Sequence, residues 1–139
     1  MRILAALVLL LSFALPVQAD QILSAEMARD RALKGEIVLV DIRTPGEWAE
    51  TGLPDVAHAI DLQSQDFGPK LKALMDANAG KPIAMICATG GRSSYVTQAL
   101  AKHGITILNV REGMMGSADG PGWRKKGLPV RAPDQPRVE

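Results

Sequence analysis

"KPIAMICATGGRSSYVTQAL", residues 81–100, passes from an apolar run through a glycine-bearing turn into a helical pattern. Ile83 to Ile86 are apolar without a break, as expected of a strand buried on both faces of a parallel sheet. From Ser94 to His103, Val96, Ala99 and Leu100 recur at helical spacing, and Gly104 supplies a C-terminal stop. Strand, tight loop and helix in that order point to a sheet covered by helices. Cys87, the chain's one cysteine, stands at the carboxyl end of the strand, where sheets of this kind bind ligands.

The same alternation extends outward. Ser24 is placed to cap a helix from Ala25 to about Leu33, with Glu26 at its positive end and Gly35 stopping it. "IVLVDI", Ile37 to Ile42, is broken only at Asp41 and reads as another buried strand. Thr44, Pro45, Gly46 and Glu47 form a capping box with proline at the first helical position. That helix is short, because Gly52 and Pro54 follow. "AHAIDL", residues 57–62, is a weaker strand, and Phe67 to Ala79 is an amphipathic helix carrying Leu71, Leu74 and Met75. Ile105 to Val110 is a third apolar strand, and the Pro- and charge-rich tail from Pro121 is expected to wrap the surface. Nothing repeats internally. The pattern predicts one α/β domain with a mostly parallel sheet.

Residues 1–19 read as a signal peptide. Arg2 gives a short positive start, Ile3 to Leu15 form an apolar run, and Val17-Gln18-Ala19 offers a small-residue cleavage site. The run is shorter than the roughly 20 residues a bilayer-spanning helix needs. Asp20 follows the site where a lipoprotein would need cysteine. The expectation is a mature periplasmic chain, residues 20–139, with no stable membrane insertion after cleavage. Arg2 is the only charge lost, so the mature chain balances 15 basic against 15 acidic residues. That neutrality excludes a nucleic-acid partner, which needs a basic stripe, and electrostatic docking to a membrane.

A single cysteine forms no internal disulfide, and an exported free thiol is open to oxidation. Its setting explains its presence. If "CATGGR", residues 87–92, folds back on itself, several backbone N–H groups converge on one point. Gly90 and Gly91 permit the positive φ such a cradle needs, and the following helix adds its positive end. A thiolate or anion is stabilised there with no metal and no cofactor. Arg92 adds a permanent charge and a planar donor fork.

"CATGGRS", residues 87–93, resembles the C-x-x-G-x-R-S active loop of the rhodanese family of sulfurtransferases. "VDIRTPGEW", residues 40–48, is similar to that family's D-x-R-x-x-x-E-[FYW] segment, and "NVREGMMGSADGPGWRKKGLPV", residues 109–130, to its closing V-x-G-G-M…W…G-[LY]-P-V segment. The resemblance covers residues 22–130 and leaves 131–139 as a C-terminal tail. It implies a single rhodanese-like domain with a five-stranded, mostly parallel sheet flanked by helices. It also implies that Cys87 takes a sulfane sulfur from a small anionic donor such as thiosulfate. The resulting persulfide yields its sulfur to a thiophilic acceptor: cyanide, a thiol or a protein sulfur acceptor. Ala88, Thr89, Gly90, Gly91, Arg92 and Ser93 would bind the donor.

The chain departs from the family pattern in three places. Ala88 follows the cysteine where family members often carry Arg. Leu53 stands where His is common, with His58 five residues on. Glu112 replaces the first glycine of a Gly-Gly pair. Asp41 reads as a strand-end carboxylate bonding nearby N–H groups, Arg43 as the partner of Glu47, His103 as a solvated helix end, and Trp48 and Trp123 as packing. The basic residues Arg111, Arg124, Lys125, Lys126 and Arg131 read as a solvated face.

Three other functions compete with sulfur transfer. A phosphatase loop places five residues between Cys and Arg, and here four intervene. A non-catalytic binding or sulfur-carrier module is the next alternative; domains that only dock a partner usually lose the nucleophile, which this chain keeps. Copper binding by Cys87 with Met114 and Met115 would suit Cu(I), but the two methionines read more simply as core filler.

Overall fold

The computed structural model describes residues 21–139, so the expected signal peptide and its cleavage site lie outside the described residues. The first helix, α1 (Ala25–Leu33), starts where the sequence predicts, with the Ser24 hydroxyl accepting from Met27 N at 3.2 Å. The strand β1 (Val38–Asp41) leads to α2 (Pro45–Thr51), whose capping box is complete: Thr44 accepts from Glu47 N while Glu47 accepts from Thr44 N. Next come the short strands β2 (Leu53–Pro54) and β3 (His58–Ala59), then α3 (Phe67–Ala77). α3 ends two residues before the predicted Ala79. Asn78 ends it by donating both its backbone and its side-chain N–H to Leu74 O. The stretch quoted at the outset becomes β4 (Ile83–Ile86) and α4 (Gly91–Ala101). The chain closes with β5 (Leu108–Asn109) and β6 (Val130–Arg131).

The main sheet runs β3-β1-β4-β5 with every pair parallel, and β1 and β4 match from Val38↔Ile83 to Asp41↔Ile86. Five strands were expected and four form. The fifth position is a single parallel bridge, Ile22↔Asn109, beyond β5. The chain cannot extend it, because Ser24 already turns into α1. A two-residue antiparallel ribbon, β2 with β6, ties the C-terminal segment down. Arg131 donates to Ala57 O and Val138 N to Asp55 O, so the end of the expected tail wraps the surface, whereas Trp123 near its start is buried in the core.

Strand residues alternate between two cores, as the two-residue repeat of a strand requires. Leu39, Ala84 and Ile86 face Ala25 and Ala28 of α1 together with Met114 and the fully buried Trp123. Val38, Val40, Ile83, Met85 and Cys87 face Leu71 of α3 and Val96 of α4. Both faces are covered, which explains the near-continuous apolar strands. Cys87 therefore leaves β4 on the α3/α4 side, at the carboxyl edge of the sheet.

Candidate active site

The loop that follows β4 is braced from behind. The carbonyls of Cys87 and Ala88 accept from Met114 N (2.9 Å) and Met115 N (2.8 Å). Gly90 has φ +86° and serves as the N-cap of α4, and a Cβ there would run into the Arg111 carbonyl. Gly113, at φ +68°, is packed the same way against the Ala88 carbonyl. Of the two loop glycines only Gly90 uses its freedom. Gly91 is the first residue of α4, which begins three residues before the predicted Ser94.

This wrapping aims polar hydrogens at one sulfur. Cys87 Sγ lies 3.2 Å from Gly90 N, 3.5 Å from Ser93 N and 3.4 Å from Ser93 Oγ. The Ser93 hydroxyl also reaches Gly90 O at 3.2 Å. Backbone donors at the start of an eleven-residue helix favour a negative charge at their focus. Cys87 is 1% exposed, and Ser93 and Gly90 are buried with it, while Ala88 is half-buried and Thr89 and Gly91 form the open rim.

Arg92 reaches away from the loop, to Glu47. Its two terminal nitrogens bond Glu47 Oε2 at 2.8 Å and Oε1 at 2.6 Å. Glu47 is itself fixed by Thr44, whose backbone N and Oγ1 both donate to Oε2 at 3.0 Å. Hydrogen bonds from Arg92 hold the Glu47 carboxyl down at about 2, against the opposing effect of burial. Arg92 is raised from its ordinary value by the same bonds, with smaller contributions from the charges of Glu47, Cys87 and Asp41.

The expected Arg43–Glu47 pair does not form. Arg43, 1% exposed, turns back to Asp41 through Nε at 3.0 Å and Nη2 at 2.7 Å, while Nη2 also donates to Gly52 O and Nη1 to Thr51 Oγ1. Asp41 also accepts from Arg43 N, so its structural reading holds. Burial pushes the Asp41 carboxyl up, and Arg43 pulls against that push. Residues two apart at a strand end share a face, which puts Asp41 within easier reach of Arg43 than Glu47 is.

A family profile for the rhodanese-like domain matches residues 24–118. The chain belongs to the rhodanese family. It is 28% identical to a sulfurtransferase of Allochromatium vinosum, over 83% of this chain and 97% of that protein. The solution structure of the polysulfide-sulfur transferase homodimer of Wolinella succinogenes is similar at 27% identity and TM-score 0.56, covering 83% of this chain and 82% of that one. A rhodanese-related protein of Thermoplasma volcanium shares the fold at TM-score 0.57 and 23% identity, over 79% of this chain and 96% of that one.

The departures of this rhodanese domain from the family motifs each have a place. Glu112 is 2% exposed and accepts from Ala25 N (2.6 Å), Gly122 N (2.9 Å) and Lys126 Nζ (2.7 Å). Burial opposes its ionisation, yet Lys126 and the two backbone donors hold the carboxyl below the usual range. It ties the start of α1 to the closing segment. Lys126, bonded to both Glu112 and Glu26, is thereby removed from the face read as solvated. His58 faces the C-terminal tail, where burial and then the charges of Arg137 and Arg131 hold it below its ordinary value. Met114 is core, as expected, but Met115 is 50% exposed beside Ala88. Among the described residues no group of three or more His, Cys, Asp or Glu is placed to hold a metal.

Proposed function

We propose that the protein is a sulfurtransferase working through a Cys87 persulfide. The observation that carries this reading is the convergence of two backbone donors, Gly90 N and Ser93 N, together with the Ser93 hydroxyl, on the one thiol of the chain. In the first half-reaction the thiolate attacks the sulfane sulfur of a donor such as thiosulfate. The donor's S–S bond breaks, its electron pair leaves with sulfite, and a Cys87–S–S⁻ persulfide remains. In the second, a nucleophilic acceptor, cyanide or a thiol, attacks the outer sulfur, and the Cys87 thiolate departs. The donors that meet the thiolate also serve the persulfide, and no electrons need to come from elsewhere. Kinship with a protein named as a sulfurtransferase supports the reading. So does the four-residue spacing from Cys87 to Arg92, one shorter than a phosphate-binding loop.

Replacement Cys87→Ser removes the sulfur carrier. We expect it to abolish thiosulfate:cyanide transfer while leaving the far-UV circular dichroism unchanged. Turnover retained in that variant would overturn the sulfurtransferase reading. The leader-like composition of residues 1–19 supports a second part of the proposal, export to the periplasm with cleavage after Ala19. Sequencing of the protein recovered from the cell envelope should begin at Asp20, and an intact Met1 on the mature protein would refute export.

A further inference from the structure

We infer that Glu47 sets the donor preference of the loop: by cancelling its cation, it makes the site favour sulfur carried on a small organic thiol over a doubly charged inorganic donor. The inference rests on the sulfurtransferase reading above. Three arginines close to the Cys87 loop are each paired with a carboxylate. Arg92 gives both terminal nitrogens to Glu47. Arg43 is turned inward onto Asp41. Arg111, whose carbonyl abuts Gly90, has its guanidinium 3.4 Å from Asp119. Each pair sums to zero, and position 88 presents only a methyl group. At the loop itself a donor therefore meets backbone dipoles and an arginine whose charge is already compensated by Glu47.

The pairing is also held in place rather than fluctuating freely. The capping box fixes Glu47 on the first turn of α2, and the two-pronged contact fixes the plane of the Arg92 fork. To recruit Arg92, an incoming anion would have to displace a carboxylate that keeps its charge down to about pH 2. A dianion gains little from such a site and loses its hydration in entering it. An alkyl persulfide, R–S–S⁻, carries one charge beside an apolar body. Met115, half-exposed and bonded through its N–H to the Ala88 carbonyl, puts an adaptable apolar residue next to that position. The transfer balances without a further reactant. The Cys87 thiolate attacks the outer sulfur, the donor's S–S bond breaks, and the alkyl thiolate leaves with the electron pair.

The test compares kcat/KM for thiosulfate with kcat/KM for a small alkyl persulfide, in the wild type and in Glu47→Gln. A glutamine oxygen in place of Oε2 keeps the capping box and one hydrogen bond from Arg92, while its amide nitrogen in place of Oε1 withdraws the second acceptor together with the charge. We expect the wild type to prefer the persulfide. In the variant, the thiosulfate-to-persulfide ratio of kcat/KM should rise about fivefold, within a range of a few-fold to tenfold. That rise should shrink as salt is added, because screening weakens a charge effect and leaves a purely structural one unmoved. Ala88→Arg adds a cation without touching the ion pair and should move the ratio the same way, which covers the case of a Glu47→Gln protein that fails to fold. A ratio that stays flat or falls in both variants, while Cys87 still loads sulfur, overturns the inference alone. If neither donor loads Cys87 in the wild type, the sulfurtransferase reading falls with it.

Discussion

Gly90 carries the most exacting demand on a single residue. Its φ of +86° is a conformation L side chains rarely adopt, and the Arg111 carbonyl fills the place of a Cβ. The same residue supplies the closest N–H to Cys87 Sγ, at 3.2 Å. Backbone strain and sulfur binding therefore cannot be separated at this position. Gly90→Ala should destabilise the fold by roughly 1–3 kcal/mol and, with the loop displaced, should reduce sulfur transfer by more than tenfold. Denaturant unfolding and single-turnover kinetics on the same preparation check both effects. Unchanged kinetics would show that the Gly90 N–H does not act on the sulfur. Ser93 is the quieter partner, fully buried, with its hydroxyl shared between Sγ and the Gly90 carbonyl. The sequence marks it only as the last letter of the loop motif.

At the scale of elements, what was legible in the sequence was local. Ser24 and Thr44 announce α1 and α2 because a cap involves residues three apart, and both helices start where their caps predict. The apolar runs at 37–42 and 83–86 announce β1 and β4 because burial on both faces leaves no polar position to hide them. Long-range partners were not legible. Glu47 fits a capping box and a nearby Arg43 equally well on paper. Only the fold brings Arg92, 45 residues away, into its reach while Asp41 claims Arg43. The short antiparallel pairing of β2 with β6 escaped for the same reason: two residues carry no periodicity to read. The fifth strand was expected as a full element, yet it survives as one bridge at Ile22, because the cap of α1 begins two residues later. Glu112 looked like a defect in a glycine pair. It is a buried carboxylate joining α1, Gly122 and Lys126.

Taken as a whole, the molecule is a parallel sheet with helices on both faces and its one thiol at the carboxyl edge, wrapped by the start of a helix. Among the described residues no helix is long and apolar enough to cross a membrane. The balanced charge of residues 20–139 agrees with the pairing near Cys87, where carboxylates meet Arg43, Arg92 and Arg111. Such a molecule does not gather anions from a distance. Its chemistry depends on what the loop does to one sulfur atom. The most direct measurement is the intact mass of the protein after incubation with a small alkyl persulfide, and separately with thiosulfate, followed by removal of excess donor. The account predicts a gain of one sulfur atom on Cys87, released on adding cyanide and absent from Cys87→Ser. A wild-type mass that does not change with either donor, or an equal gain in the Cys87→Ser protein, would contradict it.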